Sequence, residues 1–375
     1  MLDHWFHSFP GFVHSALAFA LVLGVLVYVH EFGHYAAARW RGVHVEVFSL
    51  GFGRAIASWQ DRRGTIWKLA WLPLGGYVKL HGLERPDMVS PEVRASWIPG
   101  RTFHDKSVAS RAIIVAAGPI ANFLLAAVLF ALLFATAGRP ITLPVVAEVL
   151  AGSPAAKAGL QQADRIEAID GVPTPTFLDI QRIVGAHPGG RLTLTIRRSE
   201  AEQALTATAG SQDAGNGTRV GILGIRGGQM EYHRLDPLSA AAQGVAQTWE
   251  VTAETVQGVA QMITGARGTE ELGGPLRIAQ LSGQVAELGL ASLVSFIAVL
   301  SVNLGLINLF PIPVLDGGHL LFYLAEAVHG RPLSAKAQEY GVRAGIALLV
   351  GLFVFATWND LINLGVVRWV AGLFG

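Results

Sequence analysis

An apolar run from about Phe12 to Ala38 carries His30-Glu31-Phe32-Gly33-His34 inside it, and few features restrict a fold more tightly. The run is long enough to cross a bilayer as one helix, since about 20 apolar residues span a hydrocarbon core of about 30 Å. On a helix, His30 and His34 stand one turn apart on one face, so both imidazoles can reach a single metal ion with Glu31 beside it. An ionisable group costs about 2.5 kcal/mol or more at bilayer depth, so a His-Glu-His cluster in such a segment points to a functional site. No Lys or Arg precedes the run and no small-residue cleavage site follows it, so a retained span is expected rather than a signal peptide.

With 51% hydrophobic and 15% charged residues over 375 positions, the composition is that of a membrane protein with a water-soluble part. A net charge of +1 offers no basis for nucleic-acid binding. Cysteine is absent, which excludes disulfides and thiolate chemistry and leaves His and carboxylate to hold any metal.

Between Arg39 and Arg111 twelve Lys and Arg face six Asp and Glu, and the positive-inside rule assigns this segment to the cytoplasm, with the N-terminus outside. Within it, Ile66–Leu80 is partly aromatic and β-branched but interrupted by Pro73 and Gly75-Gly76. It reads as two short strands or a re-entrant hairpin, or as an ordinary cytoplasmic hairpin. A second span is expected from Val108 to Ala137, where Gly118 and Asn122 suit close helix packing and an interhelical hydrogen bond. Residues 140–226 then change to a soluble, β-rich composition. Gly152-Ser153-Pro154 turns into a short helix ending at Gly159, and Asp164–Gly171 reads as a strand closing in an Asp-Gly turn.

From Asp236 to Gly265, Leu238, Ala242, Val245, Trp249, Val256, Val259 and Ile263 recur at helical spacing. They predict an amphipathic helix packing on the inserted domain or lying at the outer membrane surface. A third span, about Leu290–Phe310, leads into Asn308-Leu309-Phe310-Pro311-Ile312-Pro313-Val314-Leu315-Asp316-Gly317-Gly318-His319, and a fourth covers about Val342–Trp358. In the link between them, Arg331, Lys336 and Arg343 against Glu339 again favour the inside. His30, His34 and Asp316 are thereby expected at one membrane face. Two His and one carboxylate leave a fourth position for water, the pattern of an open catalytic zinc site. His319 is the rival ligand, with a supporting role preferred, and His44, His81 and His104 are expected as solvated loop residues.

The HEFGH motif, the Gly118–Asn122 run, the Asn308–Gly317 run and the inserted domain together resemble the site-2 proteases of the bacterial regulator-of-sigma-E type, which are intramembrane zinc metalloproteases. The inserted domain itself resembles a bacterial-protease PDZ domain, except that Gln162-Ala163 stand where Pro-Gly or Ala-Gly is usual; only one such domain is present where enterobacterial relatives carry two. The resemblance implies a polytopic α-helical membrane protein of about four transmembrane helices, with a membrane-associated β-hairpin and an inserted mixed α/β PDZ domain. It divides the chain into a first protease half (1–139), an extracytoplasmic PDZ domain (140–226), an extracytoplasmic amphipathic helical linker (227–290) and a second protease half (291–375). It also implies His30, His34 and Asp316 as zinc ligands and Glu31 as the catalytic base. Leu74, Gly75, Gly76, Tyr77, Asn308, Pro311 and Pro313 are the implied substrate contacts.

The expected substrate is a single-span membrane protein, such as an anti-sigma factor, or a remnant signal peptide. The other expected partners are membrane lipids, and a peptide segment or chain end at the PDZ domain, which could instead serve only as a size filter. The expected location is the bacterial inner membrane, with the active site toward the cytoplasm and the PDZ domain in the periplasm. Two rivals belong to other classes. A membrane-anchored PDZ adaptor has no use for a buried Glu between two His, and an ion transporter would be expected to show an internal repeat.

Overall fold

Helix α1 (Leu2–Trp40) is followed by strands β1 (Val45–Gln60) and β2 (Ile66–Leu80), the short helix α2 (Pro91–Ala95) and helix α3 (Val108–Thr136). A computed structural model describes residues 2–84, 89–213, 219–266, 268 and 273–363, with side chains from Val13 onward apart from Leu74. Arg85 and Asp87 of the basic segment, and the chain beyond Asn363, lie outside the described residues. Residues 134–236 form a separate unit, described below on its own. The first unit then resumes with α6 (Pro237–Ile263), α7 (Pro275–Glu287), α8 (Leu290–Leu309), α9 (Asp316–His329) and α10 (Ala335–Asn363). Among the described residues, four helices are long and apolar enough to cross a membrane: α1 from Val13, α3, α8 and α10.

Packing in this unit relies on small residues. A Cβ on Gly33 of α1 would lie 2.8 Å from the Ala121 Cβ of α3, and one on Gly305 of α8 would lie 3.1 Å from the Pro119 carbonyl oxygen. Lipid tails are as apolar as leucine, so helix association in a bilayer gains from close approach and hydrogen bonds rather than from apolar burial.

The apolar stripe of α6 is not its packing face within this unit. Its apolar residues Leu238, Val245, Trp249, Val256 and Ile263 are exposed, whereas Ala240, Gly244, Thr248 and Gly258 are buried. Gly244 lies against Ala127 and Ala131 of α3, and Thr255 donates to Asn303 Oδ1 of α8 at 3.0 Å. The small-residue stripe, not the apolar one, carries the packing, and the apolar residues are left outward, as the membrane-surface reading requires.

The Ile66–Leu80 segment is one strand of 15 residues rather than two short ones. It pairs with β1 in two registers: Leu50 lies opposite both Gly76 and Leu69, and Trp59 opposite Trp67. Each long strand is therefore folded back along the other, turning where Gly51, Gly53 and Gly75 adopt positive φ. The far part of this hairpin leaves Phe52, Ile56, Trp59, Leu69, Trp71 and Leu72 exposed.

The second unit comprises β3 (Arg139–Thr142), β4 (Val146–Val149), α4 (Pro154–Lys157), β5 (Arg165–Ile169), β6 (Val172–Pro173), α5 (Phe177–Gly185), β7 (Arg191–Arg198), β8 (Ala201–Thr208), β9 (Gly210–Asp213), β10 (Arg219–Ile222), β11 (Ile225–Gly227) and β12 (Met230–His233). A four-stranded sheet of order β6-β5-β7-β8 buries Ile166, Ile169, Leu192, Leu194 and Ile196 against Ile180 and Val184 of α5. Here burial of each such side chain contributes about 1.5–3 kcal/mol. Thr176 and Asp179 form a reciprocal cap at the start of α5, and Asp170-Gly171 turns β5 into β6 with φ of 49° and 79°. Strand β3 pairs with β12, drawing in residues on both sides of the 140–226 range read from composition.

Candidate metal centre

His30 and His34 rise from α1 and Asp316 is the first residue of α9, 282 residues beyond His34 in the chain. Their donor atoms converge: Nε2 of His30 lies 3.2 Å from Nε2 of His34 and 3.2 Å from Oδ2 of Asp316, and the third edge is 3.4 Å. Ligands about 2.0–2.1 Å from a tetrahedral zinc ion stand about 3.3 Å apart, so the triangle has the size of one face of such a site. Asp316 Oδ2 is buried without a hydrogen-bond partner, which is the state of a donor atom kept for a cation. Among the described residues, His30, His34 and Asp316 are the one group with three donors close enough to share an ion.

Helix α3 orients both imidazoles. The carbonyl oxygen of Ile114 accepts from His34 Nδ1 at 2.9 Å, so the proton sits on Nδ1 and the Nε2 lone pair faces the other donors. Asn122 is fully buried, with Nδ2 3.2 Å from His30 Nδ1 and Oδ1 without a hydrogen-bond partner. With the carboxamide turned so that its oxygen accepts from Nδ1–H, His30 takes the same tautomer. A Cβ on Gly118 would overlap the His34 ring and come within 2.9 Å of His30 Cε1. Gly118 and Asn122, read from sequence as helix-packing residues, thus serve the imidazoles as well. Their spacing of four on an apolar helix was the available signal.

Glu31 sits within charge reach of His34, His30 and Asp316, and the Val78 backbone amide of β2 acts on its carboxylate. Gly76 brings that strand close: a Cβ there would lie 2.8 Å from Val27 Cγ1 and 3.1 Å from Glu31 Cγ. Tyr77 stacks on Phe52 with ring centroids 6.1 Å apart, and Gly75, at φ of 119°, lies against the same ring. Leu74 belongs to β2, but its side chain is outside the described residues.

The Asn308 side chain donates back to the Leu304 carbonyl of its own helix at 3.1 Å. Pro311 is exposed, and the Pro313 carbonyl fills the space beside Gly345 of α10. The donor triangle does not include His319, which lies within charge reach of Asp316 and His34 and edge-on to Phe322. Between Pro313 and the helix, Val314 adopts φ of 110°, and Gly317 and Gly318 pack on the backbone of residues 309–313.

The expectation of solvated histidines fails at His81, which is 7% exposed. It accepts from the Ile98 amide at 2.9 Å and donates to Glu46 at 2.7 Å, while Lys79 binds the other Glu46 oxygen at 2.7 Å. Burial pushes the Glu46 carboxyl up, but Lys79 and His81 together hold it below its ordinary value. His104 likewise pairs with Asp105 at 2.9 Å. These histidines brace the β1–β2 base rather than face water.

The model of Peptidase family M50 matches residues 18–352. A protein of Agrobacterium fabrum named "Putative zinc metalloprotease" is 46% identical over 358 residues, covering 92% of this chain and 95% of its own. The Metalloprotease MmpA of Caulobacter vibrioides is 38% identical, covering 97% and 99%. The Regulator of sigma-E protease of Escherichia coli is 34% identical, covering 94% and 100%. A solved PDZ domain of an SdrC-like protein of Listeria monocytogenes is 18% identical over 22% of this chain and 84% of its own, with a TM-score of 0.20, too slight a likeness to bear on the fold.

Proposed function

The chain belongs to peptidase family M50 and is a zinc metalloprotease, and from that premise we propose that it hydrolyses peptide bonds within or beside the transmembrane segment of single-span membrane proteins. Three zinc-spaced donor atoms, two of them on a helix apolar enough to cross a membrane and the third at the start of α9, carry this reading. On it, His30, His34 and Asp316 are the zinc ligands. When bound, zinc supplies Lewis acidity, lowering the pKa of water to about 7 and polarising a carbonyl.

The rest of the chemistry belongs to side chains. Glu31 takes the proton of the attacking water and delivers it to the leaving amine. Ile114 and Asn122 keep both imidazoles in the tautomer that presents Nε2. A helical substrate hides its carbonyls in its own hydrogen bonds and must unwind before attack. The Gly75–Tyr77 stretch of β2, lying beside Glu31, suits an unwound segment added as a strand. Asn308, which spends one amide N–H on the Leu304 carbonyl, keeps its other N–H and its Oδ1 for such a segment.

The basic segment between α1 and α3 supports an active site toward the cytoplasmic side of a bacterial inner membrane, with residues 134–236 outside as a PDZ-like domain. That domain offers a cleft of about 580 Å³ between β11 and α5, lined in part by Ile225, Gly227, Phe177 and Gln181, where an extended segment or chain end can bind. Candidate substrates are anti-sigma factors and remnant signal peptides.

Cleavage of a single-span protein by the reconstituted enzyme, abolished by a chelator and restored by zinc, is the expected result. Chelator-resistant cleavage, or tight peptide binding with no cleavage, would sink the proposal. Capture on the Glu31→Gln variant then identifies the substrate.

A further inference from the structure

One face of α3 serves both imidazoles of the donor triangle. Arg111, Ile114, Gly118 and Asn122 follow at steps of three, four and four residues, so they line up along the helix. Ile114 and Asn122 hydrogen-bond His34 and His30, and Gly118 gives the rings room. Asp316 receives nothing of the kind: its Oδ2 has no hydrogen-bond partner, so its place depends on where α9 lies.

Arg111 grips α9 at two points. Its guanidinium donates to Glu326 at 2.7 Å and covers the Tyr323 ring at 5.0 Å from the centroid, while its Nε donates to the Lys106 carbonyl at 3.2 Å. Tyr323 stands seven residues beyond Asp316, on the same face of α9. Tyr323 also meets Phe103, with centroids 6.5 Å apart. Both partners of the ion pair are 15% exposed. A pair this buried adds little net stability over apolar residues of the same shape, and in some proteins its role is to set register and orientation instead.

We propose that Arg111 and Glu326 are positioning residues for the metal centre: their ion pair sets the roll of α9 against α3, and so sets where Asp316 meets His30 and His34. This rests on the ligand assignment above. The α9 end nearest the site is held by Gly317 and Gly318 against the 309–313 backbone. Such packing anchors the first turn of α9, and the Arg111 grip holds the helix at Tyr323 and Glu326, seven and ten residues beyond Asp316.

The test uses the full chain in detergent, with zinc affinity measured by chelator competition and site geometry by the visible spectrum of the cobalt-substituted protein. Arg111→Gln and Glu326→Gln should each weaken zinc binding about 10–100-fold and alter the cobalt spectrum. The double variant should be no worse than the weaker single, and the reversed pair Arg111→Glu with Glu326→Arg should recover part of the affinity. An apolar pair, Arg111→Met with Glu326→Leu, should keep thermal stability and still lose affinity. Unchanged affinity and spectrum in the single variants, or full affinity in the apolar pair, would overturn the inference. Wild-type protein must bind one zinc that His34→Ala loses. Failure of that control rejects the ligand set itself, whereas success there with unaltered Arg111 and Glu326 variants rejects only the positioning role.

Discussion

Two aspartates, Asp164 and Asp316, one from each unit, have opposite surroundings. Asp164 in the inserted unit is 1% exposed and fully paired: Arg198 donates to Oδ1 and to Oδ2, each at 2.7 Å, and the Gln161 amide donates to Oδ2 at 2.8 Å. Asp316 in the membrane unit has its Oδ2 buried and without a hydrogen-bond partner, turned toward two imidazole nitrogens. A buried carboxylate whose partners are all present stabilises a fold, and one left short of donors is available for a cation. The inserted unit coheres by apolar burial, and the membrane unit adds to its own buried apolar clusters close helix approach at Gly33, Gly118, Gly244 and Gly305.

Glu31→Gln should lower cleavage of a membrane-anchored substrate by about 10³-fold or more while zinc stoichiometry stays at wild-type level. Retained cleavage would remove Glu31 from the chemistry. Gly118→Ala, which drives a methyl into the His34 ring, should reduce zinc affinity by about 10²-fold or more, read by chelator competition. The paired aspartate variants address the contrast directly. Asp164→Asn should destabilise the inserted unit by about 2–3 kcal/mol, seen as faster hydrogen exchange in β5 and β7. Asp316→Asn should abolish zinc binding yet leave the apoprotein no less stable. Equal losses in the two variants would break the distinction.

Acid should separate the units in the same way. Burial pushes the Asp164 carboxyl up, but Arg198 and the Gln161 amide hold it below the ordinary value of 3.8. Because the folded-state value is depressed, its stabilisation is complete above 3.8 and is lost as pH falls through the lower folded value. Exchange protection in β5 and β7 should therefore decline over that acid window in wild-type protein and much less in Asp164→Asn. The smallest effect concerns Ala163, which adopts φ of 70° where related domains favour glycine. Ala163→Gly should stabilise the inserted unit by about 1 kcal/mol, measured as a raised unfolding midpoint.

Much of this architecture is legible in the chain because its signals are local. Four apolar runs, the one-turn spacing of His30 and His34, and the Asp170-Gly171 turn each depend on neighbours within a few residues. What failed to read depended on partners or on solvent. The apolar residues of α6 suited either packing on the inserted domain or a membrane surface, and the structure leaves them exposed while the small residues pack. His81 looked like a loop residue because Glu46 and the Ile98 amide, which enclose it, lie 35 and 17 residues away. Ile114 could not have been chosen, since it contributes only a main-chain carbonyl, a group every residue carries.

The sequence by itself determined that the chain crosses a membrane, that two histidines share a helix face with a glutamate between them, and that a soluble domain interrupts the helices. Periodicity and hydropathy suffice for these, being properties of short stretches. Only the tertiary structure decided that Asp316 meets His30 and His34 at zinc spacing, and that α3 orients both imidazoles while Arg111 grips α9. Each depends on the distance between segments far apart in the chain, and that distance is set by glycine-mediated helix approach and by buried polar pairs, which local pattern does not encode.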